Sequence, residues 1–286
     1  MPLFFFISGF LFNENKYANN LKQILLSKIK TLLWPFLTFT FLGLVFLVFS
    51  KNYSEITNFN WSDFILGNKS INAPLWFLTA LFSTEIVFSQ IIRICKTKIV
   101  PIIVIVLLFG TLGFINIYTK NLSFFLNIHV ALIAQLFFFL GWLLKKYNLT
   151  NKIQNIIQLL IASMLLFLTL VITSLNNSRL DMIENNYGNL FLTFTSAILG
   201  IFLIVILSKL ILKINFTNKI FEYLGKNSLV ILGTHVIIAP FIVSLFGAVP
   251  YRLDRVLTIL AIYLSIEFFN RFFPLFTRLK LTKQMK

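Results

Sequence analysis

Eight apolar runs follow one another along this chain, near 31–50, 74–92, 99–118, 123–144, 155–175, 188–212, 228–248 and 256–275, separated mostly by short polar breaks. A bilayer's hydrocarbon core is about 30 Å thick, and a helix rising about 1.5 Å per residue crosses it in roughly 20 residues. Each run is that long or nearly so. Inside lipid the backbone must satisfy its own polar groups, and a helix does so within one segment. Apolar residues make up 58% of the 286 and charged residues only 12%. A soluble domain of this size cannot hide so much apolar surface. The pattern predicts an all-α polytopic transmembrane bundle, a single membrane domain over 1–286, with no Gly/Ser linker and no internal repeat.

A net charge of +16 raises the question of nucleic acid. The basic residues do not form one long polar face. They sit in short clusters between apolar runs, which is the pattern of membrane topology. One set of breaks and span ends holds Lys16, Lys22, Lys28, Lys30, Arg93, Lys96, Lys98, Lys145, Lys146, Lys152, Lys209, Lys213, Lys219 and Lys226, with Arg271, Arg278, Lys280, Lys283 and Lys286 in the tail. The alternate set holds only Lys51, Lys69, Lys120, Arg179, Arg252 and Arg255. By the positive-inside rule the first set is cytoplasmic. That places Asn13–Lys30 and the C-terminus in the cytoplasm. The single cysteine, Cys95, can form no internal disulfide, and no metal-type cysteine spacing exists.

The opening run, Pro2 to Phe12, is too short to cross alone. It has no basic leader and no A-x-A-like cleavage site, so it does not read as a signal peptide. Since the following break is cytoplasmic, this run descends from the outer side. It reads as the second half of an N-terminally truncated span, with one further span expected before it.

Four stretches carry a family resemblance: MPLFFFISGFLF (1–12), KIKTLLWPFL (28–37), PLWFLTALFSTEIVF (74–88) and LGKNSLVILGTHVI (224–237). Together, in this order and on this topology, they resemble the acyltransferase family 3 membrane proteins, most closely the branch related to fucose 4-O-acetylase. The resemblance implies an O-acyltransferase. Such a protein takes an acyl group, usually acetyl, from cytoplasmic acyl-coenzyme A and passes it to a hydroxyl of a cell-envelope sugar or polysaccharide. Acyl-coenzyme A is then a co-substrate, with no permanently bound cofactor and no nucleic acid partner. The implied location is the bacterial cytoplasmic membrane. The family's first span, which carries a histidine, has no counterpart here, and Thr31 stands where relatives often have a basic residue.

Ionisable groups deep in a bilayer are costly unless paired or wet, so the few present are the first candidates. His235 lies about two turns into its span. Imidazole titrates near neutrality and suits a general base for a sugar hydroxyl. The plain alternative is a histidine hydrogen-bonded within the bundle. Glu85 sits near the middle of its span. It either orients a histidine or holds a substrate hydroxyl, or it is a packing carboxylate bonded to Ser89 one turn on or to a polar group on a neighbouring helix. Glu267 has Arg271 at i+4, an ordinary helical ion pair. His129 lies in the outer third of its span, as an acceptor-sugar contact or a simple interfacial residue.

Substrate-binding candidates are Ser8, Trp76 and Phe77, besides His129. Ser8 and Gly9 form a small pair that also permits close helix approach. No G-x-S-x-G elbow marks Ser8 as a nucleophile. Trp76 shapes an acyl or sugar pocket or anchors the outer interface. Lys28 and Lys30, with Lys226 and Asn227, are candidates for coenzyme A phosphates; lysine binds phosphate as a point charge. The plain reading of the lysines is topology and anionic-lipid contact. Gly225-Lys226-Asn227-Ser228 lacks Walker spacing, and a turn followed by an N-cap accounts for Asn227 and Ser228. The competing function, a transporter or flippase for lipid-linked sugars, predicts symmetric broken helices in two halves, which the sequence does not show. An inactive, truncated acyltransferase is the other alternative.

Overall fold

A computed structural model describes residues 1–14, 21–49, 57, 59–119, 122, 124–149, 155–177, 181–182, 186–212, 214–246 and 251–272. The C-terminal tail, with the basic residues from Arg278 onward, lies outside the described residues, as do Lys16, Lys51 and Lys152.

The regular elements are helices: α1 Pro2–Leu11, α2 Leu21–Lys28, α3 Trp34–Phe49, α4 Trp61–Ile65, α5 Trp76–Cys95, α6 Ile99–Thr119, α7 Ile128–Lys146, α8 Ile156–Leu175, α9 Leu190–Ile211, α10 Asn215–Lys226, α11 Ser228–Phe246 and α12 Tyr251–Phe272. Among the described residues, six helical stretches are long and apolar enough to cross a bilayer: Leu21–Phe49, Ala73–Cys95, Ile99–Thr119, Phe125–Lys146, Ile157–Leu175 and Leu190–Ile211. The pair Thr217–Lys226 and Ser228–Ile242, bent by 77°, makes a seventh if counted as one span. The helix at the eighth apolar run, α12, has the length, but Arg252, Asp254, Arg255, Glu267 and Arg271 near its ends keep it out of that set. The architecture is a polytopic helical bundle.

Two element boundaries differ from the hydropathy pattern. The span at 31–50 begins ten residues earlier, because α2 runs into α3 through a π turn, Ile29–Leu33. Pro35 has no N–H to give to the carbonyl of Thr31, and the widened turn precedes it. Asn227 does not N-cap α11. Its side-chain nitrogen turns back to the carbonyl of Tyr223 at 2.8 Å, closing the end of α10 instead.

The chain divides into two compact units, residues 1–24 with 83–218, and 25–82 with 219–286. In the first unit α1 lies backbone to backbone on α7. A Cβ on Gly9 would overlap the carbonyl oxygen of Phe138, and one on Gly141 would overlap that of Phe6. Phe12, Phe88 and Phe138 fill the adjoining space with ring centroids 4.9–5.7 Å apart. α6 packs on α7 where Gly110 and Gly113 receive Leu136 and Ile133. α8 and α9 pack side by side. Each starts from an asparagine cap: Asn155 accepts from the N–H of Ile157, and Asn189 from that of Leu192. The outward faces of α6 and α8 expose Leu107, Leu108, Leu112, Leu160, Met164, Leu165 and Ile172, which suits lipid and no other solvent.

One end of this unit gathers three of the breaks that belong to the more basic set. Lys145 donates to the carbonyl of Phe12 at 2.9 Å, Lys146 to that of Thr97 at 3.2 Å, and the Trp142 indole to Glu14 at 3.2 Å. Glu14 also lies 3.8 Å from the Lys146 ammonium. The cations satisfy carbonyls that the ends of α1 and α5 leave open.

In the second unit α3, α11, α12 and the connection 66–75 share a core. The ring of Phe39 lies against Gly233, which has no Cβ to obstruct it, and packs on Phe269 at 5.4 Å. Gly43 lets Ile71 and Asn72 close on α3.

Candidate functional site

The predicted site residues divide between the two units. Ser8, Glu85 and His129 belong to the first; Lys28, Lys30, Trp76, Phe77, Lys226, Asn227 and His235 belong to the second.

His235 stands half-buried on α11 with Nδ1 2.8 Å from the carbonyl oxygen of Ile231, one turn back. A carbonyl only accepts, so Nδ1 carries the proton and donates it. In the neutral ring this leaves Nε2 with a lone pair and no hydrogen-bond partner among the described residues. That is the state a general base requires.

The turn bearing His235 is fixed from outside by residues the sequence reading passed over. Asn72, 1% exposed, donates through Nδ2 to the carbonyl of Gly233 at 2.6 Å. The Asn72 N–H goes to Ser70 Oγ at 3.2 Å, and Ser70 Oγ lies 2.7 Å from Thr40 Oγ1. Thr40 gives its only proton to the carbonyl of Phe36 at 2.7 Å, so Ser70 donates to Thr40 and accepts from Asn72. Thr234 donates to Val230 at 2.8 Å and lies 3.4 Å from Ser265 of α12. The faint sequence signal was Asn72 placed directly before Ala73-Pro74-Leu75-Trp76, a polar residue at the mouth of a span.

Trp76 and Phe77 are both buried, with rings 6.5 Å apart at 86°. Trp76 is therefore a core residue and not an exposed interface anchor. Lys28 ends α2 and Lys30 lies exposed in the π turn. Lys226 is held by Glu222 at 2.5 Å, an i,i+4 ion pair along α10. Glu267 does not pair with Arg271. It is exposed and accepts from the Tyr223 hydroxyl at 2.6 Å.

In the first unit Glu85 is 6% exposed on α5, among Ser83, Thr84 and Ser89. Ser89 spends its hydroxyl proton on the carbonyl of Ile86 at 2.7 Å, so it does not donate to Glu85. Ser83 donates to the carbonyl of Leu126 at 2.7 Å, and Gln135 donates to that of Thr84 at 2.9 Å. His129 is 4% exposed. Its Nδ1 accepts from the Phe124 N–H at 3.2 Å, across a turn in which Leu126 and Asn127 both have positive φ. The proton of a neutral His129 is then on Nε2, opposite to His235. Ser8 is half-buried on α1, and it is its neighbour Gly9 that makes the close helix contact.

A bundle of membrane-spanning helices that carries an acyltransferase domain is a membrane acyltransferase, and the family described as Acyltransferase domain matches residues 1–268. The chain belongs to acyltransferase family 3. No curated protein and no solved structure matches it.

Proposed function

We propose that this protein takes an acyl group, acetyl in the simplest case, from cytoplasmic acyl-coenzyme A and places it on a hydroxyl of a cell-envelope sugar or polysaccharide at the bacterial cytoplasmic membrane. Membership of the family supports the acyl transfer. The donor and acceptor follow from the resemblance of the four motifs to the fucose 4-O-acetylase branch.

The observation that carries the chemistry is the Nε2 of His235, without a hydrogen-bond partner among the described residues and fixed by the bond from Nδ1 to Ile231. In the proposed reaction Nε2 takes the proton of the acceptor hydroxyl. The hydroxyl oxygen attacks the thioester carbonyl carbon, the C–S bond breaks, and the coenzyme A thiolate leaves with the electron pair. The imidazolium then returns its proton to that sulfur. Glu85 is assigned the holding of a substrate hydroxyl, and His129, whose Nε2–H is a donor, an acceptor-sugar contact. Trp76 and Phe77 shape the acyl pocket, and Ser8 lines the acyl path. Lys28 and Lys30, with Lys226 and Asn227 beside the bend before α11, meet the coenzyme A phosphates.

The test is incorporation of labelled acetyl from acetyl-coenzyme A into envelope carbohydrate by membranes carrying the chain. His235→Ala is expected to reduce it by about 10²- to 10⁴-fold, the usual contribution of a positioned base. Absence of labelled carbohydrate from the unmodified protein, or equal labelling by the variant, rejects the proposal.

A further inference from the structure

α11 is a weak platform for a base. Pro240 has no N–H, so the carbonyl of Val236, the residue next to His235, loses its helical partner. The helix is thus loosened immediately after the histidine. On the other side Asn227 begins a 77° bend. The intervening turn is held by contacts from other elements, and among the described residues Asn72 reaches its backbone, at the carbonyl of Gly233.

We infer that Asn72 is a positioning residue for His235: by donating to the carbonyl of Gly233 it fixes the turn that aims the bare imidazole nitrogen. Its own placement is determined. The directed chain from Asn72 N–H through Ser70 and Thr40 to the carbonyl of Phe36 ties it to α3. Each hydroxyl in that chain donates once and accepts once, so the links polarise one another in a single direction. Gly233 is the matching half. A side chain there would meet the Phe39 ring at 2.5 Å, so only glycine lets α3 approach α11 closely at this level. The Asn72–Gly233 bond spans 161 residues of sequence and links the connection before α5 to the second residue ahead of His235.

The role of Asn72 in turnover rests on the proposed function, but its effect on the imidazole does not. The chain has two histidines, so protein labelled with ¹⁵N-histidine gives two ring systems, and His129 is an internal control. In lipid nanodiscs, the unmodified chain is expected to show His235 protonated on Nδ1 and His129 protonated on Nε2. With Asn72→Ala, His235 is expected to become a mixture of tautomers while His129 keeps its signal. Ser70→Ala, which leaves the amide but removes its anchor, moves His235 in the same direction by less. In acyl transfer, Asn72→Ala is expected to lower kcat about 10- to 100-fold at unchanged KM, the scale of a lost supporting hydrogen bond. Unchanged His235 signals in both variants overturn the inference, and so does a joint shift of both histidines, which marks general loosening. If His235 alone responds while the unmodified protein transfers no acyl group, the positioning stands and the functional reading falls.

Discussion

Gly9 of α1 and Phe138 of α7 meet backbone to backbone: the space a Cβ would occupy on Gly9 is already filled by the Phe138 carbonyl oxygen. Gly141 stands in the same relation to Phe6, so the two helices are locked at two points about one turn apart. Without a hydrophobic force between helices in lipid, such approach supplies the dispersion contacts that hold them. Gly9→Ala or Gly141→Ala has no flexible neighbour to displace, only main chain. Each is expected to destabilise the protein by about 1–3 kcal/mol or more, as overpacking does. Gly200→Ala is the control, since its Cβ would meet only Leu170 at an ordinary 3.9 Å. Thermal unfolding in detergent, followed by a thiol-reactive dye on the buried Cys95, separates the three.

The lysines that close one end of the first unit make the charge-based topology testable. Lys145 and Lys146 bind the carbonyls of Phe12 and Thr97, so the ends of α1, α5 and α7 share a side. Native Cys95 is 6% exposed and gives little background. Cysteines replacing Lys96 and Asn148, both exposed, are expected to react with a membrane-impermeant maleimide only when the cytoplasmic face is open. A cysteine replacing the exposed Tyr118, at the far end of α6, is expected to react from outside in intact cells. Labelling of Lys96→Cys and Asn148→Cys in intact cells reverses the assigned orientation.

Hydropathy made the spans legible because an apolar run must be a helix in lipid, whatever its neighbours. It did not show where helices end. Leu21–Lys28 is too polar to read as membrane, yet it continues into α3 through the π turn before Pro35. Helix continuity is a matter of backbone bonds, and hydropathy reports only the solvent. His235 was legible as a rare ionisable group in an apolar run. Its tautomer was not, because that depends on which ring nitrogen faces the Ile231 carbonyl. Asn72 left only the faint signal of its place at the mouth of a span, because its partner is 161 residues away and a loop asparagine carries no mark of being buried. Glu267 shows the opposite error. An i+4 arginine suggested an ion pair, but the carboxylate takes a tyrosine hydroxyl from another helix.

Lys145 is expected to act as a cap as well as a topology signal. Its ammonium lies 2.9 Å from the carbonyl of Phe12, just past the end of α1, where the helix dipole favours a cation. Lys145→Met keeps the stem and removes the charge. The expected loss is about 1–2 kcal/mol, the range for a hydrogen bond to a charged group with dipole support. Lys145→Arg retains most of it. Equal unfolding midpoints for Lys145→Met and the unmodified protein reject the cap.

Tyr187, in the connection between α8 and α9 and so outside the spans, gives the pH dependence a sign. Burial raises its phenol above the usual range, and the nearby charge of Asp181 raises it further. The side chain is 3% exposed, and its hydroxyl has no hydrogen-bond partner among the described residues. The folded protein therefore keeps the phenol proton at pH values where the unfolded chain, with a tyrosine pKa of about 10, gives it up. Above that pH the unfolded state binds fewer protons, so stability falls as pH rises. Below it, both states are protonated and Tyr187 adds no slope. Tyr187→Phe removes both the titration and a buried hydroxyl that has no partner among the described residues. It is expected to leave stability unchanged or up to about 1 kcal/mol higher at pH 8. It is also expected to flatten the fall in unfolding midpoint between pH 10 and about 11.5, where the unfolded phenol ionises. A variant that melts well below the unmodified protein at pH 8, or one with the same alkaline slope, places the phenol in contact with solvent or a partner.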